Sequence, residues 1–288
     1  MNPPRVVADY ACQIGEGPFW HPDRRLLYWL DIPTGRLFQH DPVVGGHTLA
    51  LKDDDPIGAA LVQADGAILL LQTAGRIRRW ADGYLTTLLD EIPGHGTHRF
   101  NDAIAAPEGR IYAGLMVPGH DGRDALYRID PDHSVKRVLD GIGRTNGLAF
   151  SADAGFLYYT DTHRHEIYRF DYDRSSGRLS GQEVLVRTPD DCGSPDGLTV
   201  DADGYLWSAM WGGGCVLRFR PDGRLDARID LPTPRVTSVA FGGPGLATLF
   251  ITTAAGDRKD EFGPHAGALF ALTPGVKGLP DHRSNLTP

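Results

Sequence analysis

Sixteen residues near the start of the chain return, without a gap, 130 positions later. Glu16-Gly-Pro-Phe-Trp-His-Pro-Asp-Arg-Arg-Leu-Leu-Tyr-Trp-Leu-Asp31 lines up with Asn146-Gly-Leu-Ala-Phe-Ser-Ala-Asp-Ala-Gly-Phe-Leu-Tyr-Tyr-Thr-Asp161, with glycine, an aromatic, Asp, Leu-Tyr and Asp in register. A second pair, Asn101 to Tyr112 and Asp196 to Trp207, aligns in the same way with a turn one residue shorter. Two weaker copies begin near Gly58 and Thr237. The equivalent positions are then 16, 58, 101, 146, 196 and 237, separated by 42, 43, 45, 50 and 41 residues. A period of roughly 40–50 residues is that of a four-stranded propeller blade.

Each copy reads as an apolar strand, an Asp/Gly turn, a strand rich in Tyr, Trp and Leu, and a third strand such as Arg36-Leu-Phe-Gln-His-Asp41 or Ile167-Tyr-Arg-Phe-Asp171. Alternating apolar and polar residues mark half-buried strands. The 36 glycines and 21 prolines suit many tight turns. The expectation is an all-β chain, a six-bladed β-propeller forming one domain over residues 1–288. Closure would protect the sheet edges, and Arg5 to Cys12 are placed to pair with Gly267 to Leu272 in the last blade. A β-sandwich, a barrel or two all-β domains would also bury such strands, but none explains a sixfold repeat.

Composition narrows the function. Lys+Arg is outnumbered by Asp+Glu, 29 to 37, for a formal charge of −8, which disfavours a nucleic-acid partner and leaves a small molecule. Cys12, Cys192 and Cys215 form neither a disulfide framework nor a Cys-x-x-Cys pair, in keeping with a reducing cytoplasm. No apolar run of signal-peptide or membrane-helix length is present, so neither secretion nor a membrane is expected. A propeller needs no partner to fold, and a monomer is expected.

In a propeller the first strand of each blade lines the central channel, so one repeat position becomes one ring of side chains. Here the ring reads Glu16, Gly58, Asn101, Asn146, Asp196 and Thr237. Asn-Gly and Asp-Gly are ordinary turn dipeptides, and each alone would be read as a turn. Two carboxylates and two carboxamides at one repeat position on the most buried strand point instead to a cation, because buried carboxylates without a partner are costly. All-oxygen donors favour one divalent ion such as calcium, magnesium or manganese, with zinc or ferrous iron also compatible.

Gly15-Glu-Gly-Pro18, Arg99-Phe-Asn-Asp102, Thr145-Asn-Gly147, Pro195-Asp-Gly197 and Gly204-Tyr-Leu-Trp207 resemble the SMP-30/gluconolactonase/regucalcin-like family, in the right order over nearly the whole chain. The resemblance implies a metal held by Glu16, Asn146 and Asp196, with Asn101 close to ion and substrate and Arg99 contacting substrate. Trp207-Ser-Ala-Met-Trp-Gly-Gly213 and Phe241 to Leu249 are most similar to its sugar-acid lactonases. The expected chemistry is hydrolysis of an aldonolactone to the sugar acid, with Asp196 also taking and returning the proton. The family includes calcium-handling proteins, phosphotriester hydrolases and luciferin-regenerating enzymes, so an esterase or phosphotriesterase, or a non-enzymatic metal-binding regulatory propeller, remain as alternatives.

Polar rim residues His98, Arg99, Asn101 and Ser194 favour a hydroxylated substrate. Where some relatives carry an acidic lid residue, this chain reads Val117-Pro-Gly-His-Asp-Gly-Arg-Asp124, which leaves His120 or Asp121 as substitutes. Gly212-Gly-Gly214 lacks the Lys-Ser/Thr of a nucleotide loop and reads as a strand connection. His163 and His165 have no third ligand in view and read as polar turn residues. Asn285-Leu-Thr287 fits a glycosylation acceptor, and no Gly-x-Ser-x-Gly elbow exists.

Overall fold

The computed structural model describes residues 3–116, 124–257 and 259–287. The 117–123 segment, with His120 and Asp121, lies outside the described residues. Six four-stranded antiparallel sheets form a six-bladed β-propeller. The first blade runs outward through Gly15–His21, Leu26–Asp31, Arg36–His40 and His47–Lys52. The innermost strands of the next five are Ile57–Val62, Arg99–Ala105, Thr145–Phe150, Ser194–Val200 and Val236–Gly242. Each inner strand packs against the next, and Val236–Gly242 packs against Gly15–His21, closing the ring.

Closure uses both ends of the chain. Arg5–Asp9 pairs antiparallel with Ala268–Leu272 as the outer strand of the sixth blade, matching Arg5 with Ala271 and Asp9 with Ala268. The apolar core is divided among the seams between blades. Leu69 and Leu71 of the second blade meet Phe100 and Ile111 of the third, and Trp29 and Phe38 of the first meet Phe250 and Leu269 of the sixth. The second strands are therefore buried on both faces, Ile68–Gln72 throughout, while outer strands such as His47–Lys52 keep a solvated face.

The Asp shared by the first and fourth repeats is structural. Asp31 Oδ1 accepts a bond from Ile14 N at 3.0 Å, and Asp161 Oδ2 accepts one from Gly143 N at 2.8 Å. Each carboxylate ties the entry of its inner strand to the end of the second strand, and Arg36 and Arg164 neutralise the buried charges. Gly212 and Gly214, both at positive φ, join Leu206–Trp211 to Cys215–Phe219.

The end of the channel where the inner strands finish is crossed by the C-terminal segment. Lys277 O accepts from Ala202 N, Gly278 N donates to Leu246 O, and Arg283 forms a two-pronged ion pair with Asp23 at 2.6 and 2.8 Å. Beyond it, Ser284 bonds Val62 and Ala64, Asn285 N donates to Gly109 O, and Leu286 is buried among the second and third blades. The strap's polar bonds reach five blades, and His282 packs on Phe150 of the fourth. Below the ring of polar residues it encloses a largely apolar cavity of about 340 Å³, walled by Phe19, Trp20, Phe150, Leu198 and Phe241 among others.

Candidate metal and substrate site

Every inner strand breaks register at the same level. The ladder skips between Glu16 and Phe19, Ile57 and Ala59, Phe100 and Asp102, Asn146 and Leu148, Pro195 and Leu198, and Val236 and Ser238. Such bulges bend the strand and re-aim its side chains. Glu16 and Asn146 are the last paired residues before the break, whereas Gly58, Asn101, Asp196 and Thr237 fall within it. The six repeat positions are thus equivalent to within one residue.

The glycines beside them are not turn residues. A Cβ on Gly58 would lie 1.8 Å from Phe100 O, one on Gly147 2.6 Å from Asp196 O, and one on Gly197 2.0 Å from Ser238 Oγ. Neighbouring backbones approach there too closely for any side chain, which draws the polar ring tight.

Arg99, Asn101 and Asn146 form one chain of hydrogen bonds. Arg99 Nη1 donates to Phe100 O and to Asn101 Oδ1, both at 2.9 Å. Asn101 Nδ2 donates to Thr145 O at 2.7 Å and to Asn146 Oδ1 at 2.9 Å, and Asn146 Nδ2 donates to Thr162 Oγ1 at 2.8 Å. Both carboxamides are fixed in orientation, and Asn146 Oδ1 keeps a second lone pair. Among the described residues, Glu16 Oε2 accepts only from its neighbour, Gly17 N, at 2.9 Å.

Glu16, Asn146 and Asp196 are all buried. Burial, then the charge of Asp102, pushes the Glu16 carboxyl up to about 8. Burial followed by Glu16 and Asp102 raises Asp196 well above the carboxylate range, against the pull of Arg144 and Arg99. Asp196 Oδ1 is a buried oxygen with no hydrogen-bond partner among the described residues. Among the described residues no three His, Cys, Asp or Glu side chains are grouped as a metal site. The candidate donors are two carboxylates and a carboxamide, and their chemistry fits a hard divalent cation: an unpartnered buried carboxylate oxygen, a second carboxyl that repels it, and a fixed amide oxygen. Gly58 and Thr237 add no charge, Thr237 Oγ1 instead donating to Gly15 O at 2.5 Å.

One residue was not legible as part of this site. Asp102 lines the top of the channel cavity, and burial pushes its carboxyl up to about 7. Residues one beyond the repeat position are Gly17, Ala59, Asp102, Gly147, Gly197 and Ser238, small everywhere except at Asp102. That exception was the available signal. Arg99, half-buried, is itself held down to about 10 by burial and then by Arg144, with Glu16, Asp124 and Asp196 opposing.

The rim brings together three further groups. His95 Nε2 meets Tyr127 Oη at 2.6 Å and His95 Nδ1 lies 3.4 Å from His98 Nδ1. Arg144 Nε donates to Asp124 Oδ2 at 3.0 Å. Thr162, His163, His165 and Ser194 line an open pocket, so the two histidines are turn residues that also face the mouth of the channel.

The family model of the SMP-30/gluconolactonase/LRE-like region matches residues 14–255. The chain belongs to this family. It is 41% identical over 293 residues to the pentonolactonase of Haloferax volcanii, covering 99% of each chain. It is 36% identical over 280 residues to the 6-deoxy-6-sulfogluconolactonase of Pseudomonas putida, covering 95% of this chain and 96% of that one. Among solved structures, a calcium-binding regucalcin from Agrobacterium tumefaciens superposes with a TM-score of 0.89 at 28% identity, covering 97% of this chain and 96% of that one.

Proposed function

We propose that the protein is a metal-dependent lactonase that hydrolyses a sugar lactone to the sugar acid, with Glu16, Asn146 and Asp196 as the ligands of one divalent ion. The observation that carries the reading is the buried Asp196 Oδ1, without a hydrogen-bond partner among the described residues and repelled by the nearby carboxyls of Glu16 and Asp102. Family members named as lactonases and as a calcium-binding protein support both halves of the reading. Calcium, manganese, magnesium, zinc and ferrous iron all suit these donors.

A divalent ion bound there would supply Lewis acidity toward the lactone carbonyl. Asp196 accepts the proton of the attacking water as its oxygen adds to the carbonyl carbon, then returns that proton to the ring oxygen as the ring C–O bond breaks. Glu16 and Asn146 hold position. Arg99 Nη1 is taken up by Phe100 O and Asn101 Oδ1, which leaves Nε and Nη2 as the donors a substrate oxygen meets. Asn101, locked between Arg99 and Asn146, orients the substrate against the ligands.

The test is proton release from a panel of pentono- and hexonolactones by metal-stripped protein, with divalent ions restored one at a time. Turnover that returns with an ion and falls by about a thousandfold or more in Asp196→Asn is expected, the scale on which loss of a proton-transfer group acts. Full activity of Asp196→Asn, or metal-independent turnover, would sink the assignment.

A further inference from the structure

We propose that Thr162, His165 and Ser194 form a second substrate subsite, which recognises the hydroxyl-bearing arm of the lactone and sets the preference for polyhydroxylated rings. The inference rests on the lactonase reading and adds the group that selects the substrate.

Position comes first. Thr162 Oγ1 accepts the 2.8 Å bond from Asn146 Nδ2, so the inner edge of the rim pocket lies one hydrogen bond from a proposed ligand. Ser194 opens the strand that carries Asp196 two residues later. The pocket therefore stands on the fourth and fifth blades, while Arg99 and Asn101 stand on the third. A lactone with its carbonyl at the ligands has one flank against Arg99 and Asn101 and turns its remaining substituents toward Thr162, His165 and Ser194.

Chemistry comes second. Among the described residues the pocket is lined by two hydroxyls and two imidazoles, counting His163, and by no apolar side chain. Hydroxyls both donate and accept, as sugar hydroxyls do, and an imidazole ring presents nitrogens to either kind of partner, so the two surfaces can satisfy one another. An unsubstituted ring or an alkyl chain would take these groups out of water and give nothing back.

Preorganisation comes third. His165 sits in the left-handed region at φ 56°, pinned by its own N–H to Thr162 O and by two bonds from Thr188, N and Oγ1, to its carbonyl. Its Nε2 lies 3.2 Å from Ser194 Oγ, joining the two blades across the pocket mouth. Neither Ser194 nor His165 is needed to hold the proposed ligands, whose bonds run through Asn101 and Thr162.

The experiment compares kcat/KM for a hexono-1,4-lactone and for γ-butyrolactone, by proton release, in wild type, Ser194→Ala and His165→Gly. Glycine is chosen because it accepts the left-handed conformation without strain. The ratio favouring the hydroxylated lactone is expected to fall by about fivefold or more in each variant, the worth of one lost hydrogen bond. Equal losses on both substrates, or an unchanged ratio, would overturn the subsite while leaving the lactonase reading intact. A wild-type protein inert toward both lactones would overturn that reading and the subsite with it.

Discussion

Single side chains differ in how openly they declare themselves. His21 is fully buried at the far end of the first inner strand, where its Nε2 donates to Gly66 O at 3.0 Å and its Nδ1 accepts from Arg24 N at 3.4 Å. Both nitrogens are served only while the ring is neutral. Burial depresses its pKa, and His40, donating from Nδ1 to Gly46 O, is depressed for the same first reason. An unfolded chain then takes up protons before the native one. Stability present at neutral pH is expected to be lost as pH falls below the unfolded histidine value of about 6.5. Thermal unfolding followed from pH 8 to 5 should show this, with a shallower loss in His21→Gln; one group contributes a slope of at most about 1.4 kcal/mol per pH unit. An identical profile in the variant would exclude His21 as a source. By contrast, Glu16, Asn101, Asn146 and Asp196 were readable as a ring because one repeat position on the most buried strand carries carboxylates and carboxamides where a merely structural position would repeat an apolar or turn residue. Asp102 was not. In a regular strand Asn101 and Asp102 face opposite ways, and only the register break between Phe100 and Asp102 lets the first bond Asn146 while the second borders the channel.

At the scale of strands, the repeat made the blades legible: apolar alternation, an Asp/Gly turn and an aromatic second strand recur often enough to outweigh the alternatives. The bulges had no such signature, since a skipped pairing leaves only a glycine or a small residue behind, and glycine beside Asn or Asp looks like a turn. The close approach of the inner strands gives those glycines another meaning. Gly197→Ala would drive a methyl into Ser238, whose Cα, Cβ and Oγ all lie within 2.6 Å of the added atom. It is expected to destabilise the protein by about 2 kcal/mol or more, in the upper part of the overpacking range, and to reduce turnover by displacing Asp196. Urea unfolding together with lactone turnover checks both parts; wild-type values for each would show that the strands have slack.

For the molecule as a whole, the strap from Lys277 to Thr287 makes the two ends of the channel unlike, since it crosses one of them. Its sequence showed only an Asn-Leu-Thr triplet. Strand periodicity is absent there because its bonds go to five blades rather than to one partner. Leu286, 1% exposed, anchors it. Leu286→Ala is expected to lose about 2–4 kcal/mol of stability, the usual range for a buried leucine. Its kcat on a lactone should stay within about twofold of wild type, since the proposed site lies at the opposite end of the inner strands. A large loss of kcat without a loss of stability would mean that the strap reaches the chemistry.

The sixth blade, built from Val236–Gly242, Thr248–Thr253, Ala268–Leu272 and the N-terminal Arg5–Asp9, also orders events at the ribosome. Asp9 must wait for Ala268, which at translation rates of about 5–20 residues per second is a delay of roughly fifteen to fifty seconds. Until then the first five blades form an open arc with apolar seams at both ends, and the nascent chain is most exposed to wrong partners just before Ala268–Leu272 is made.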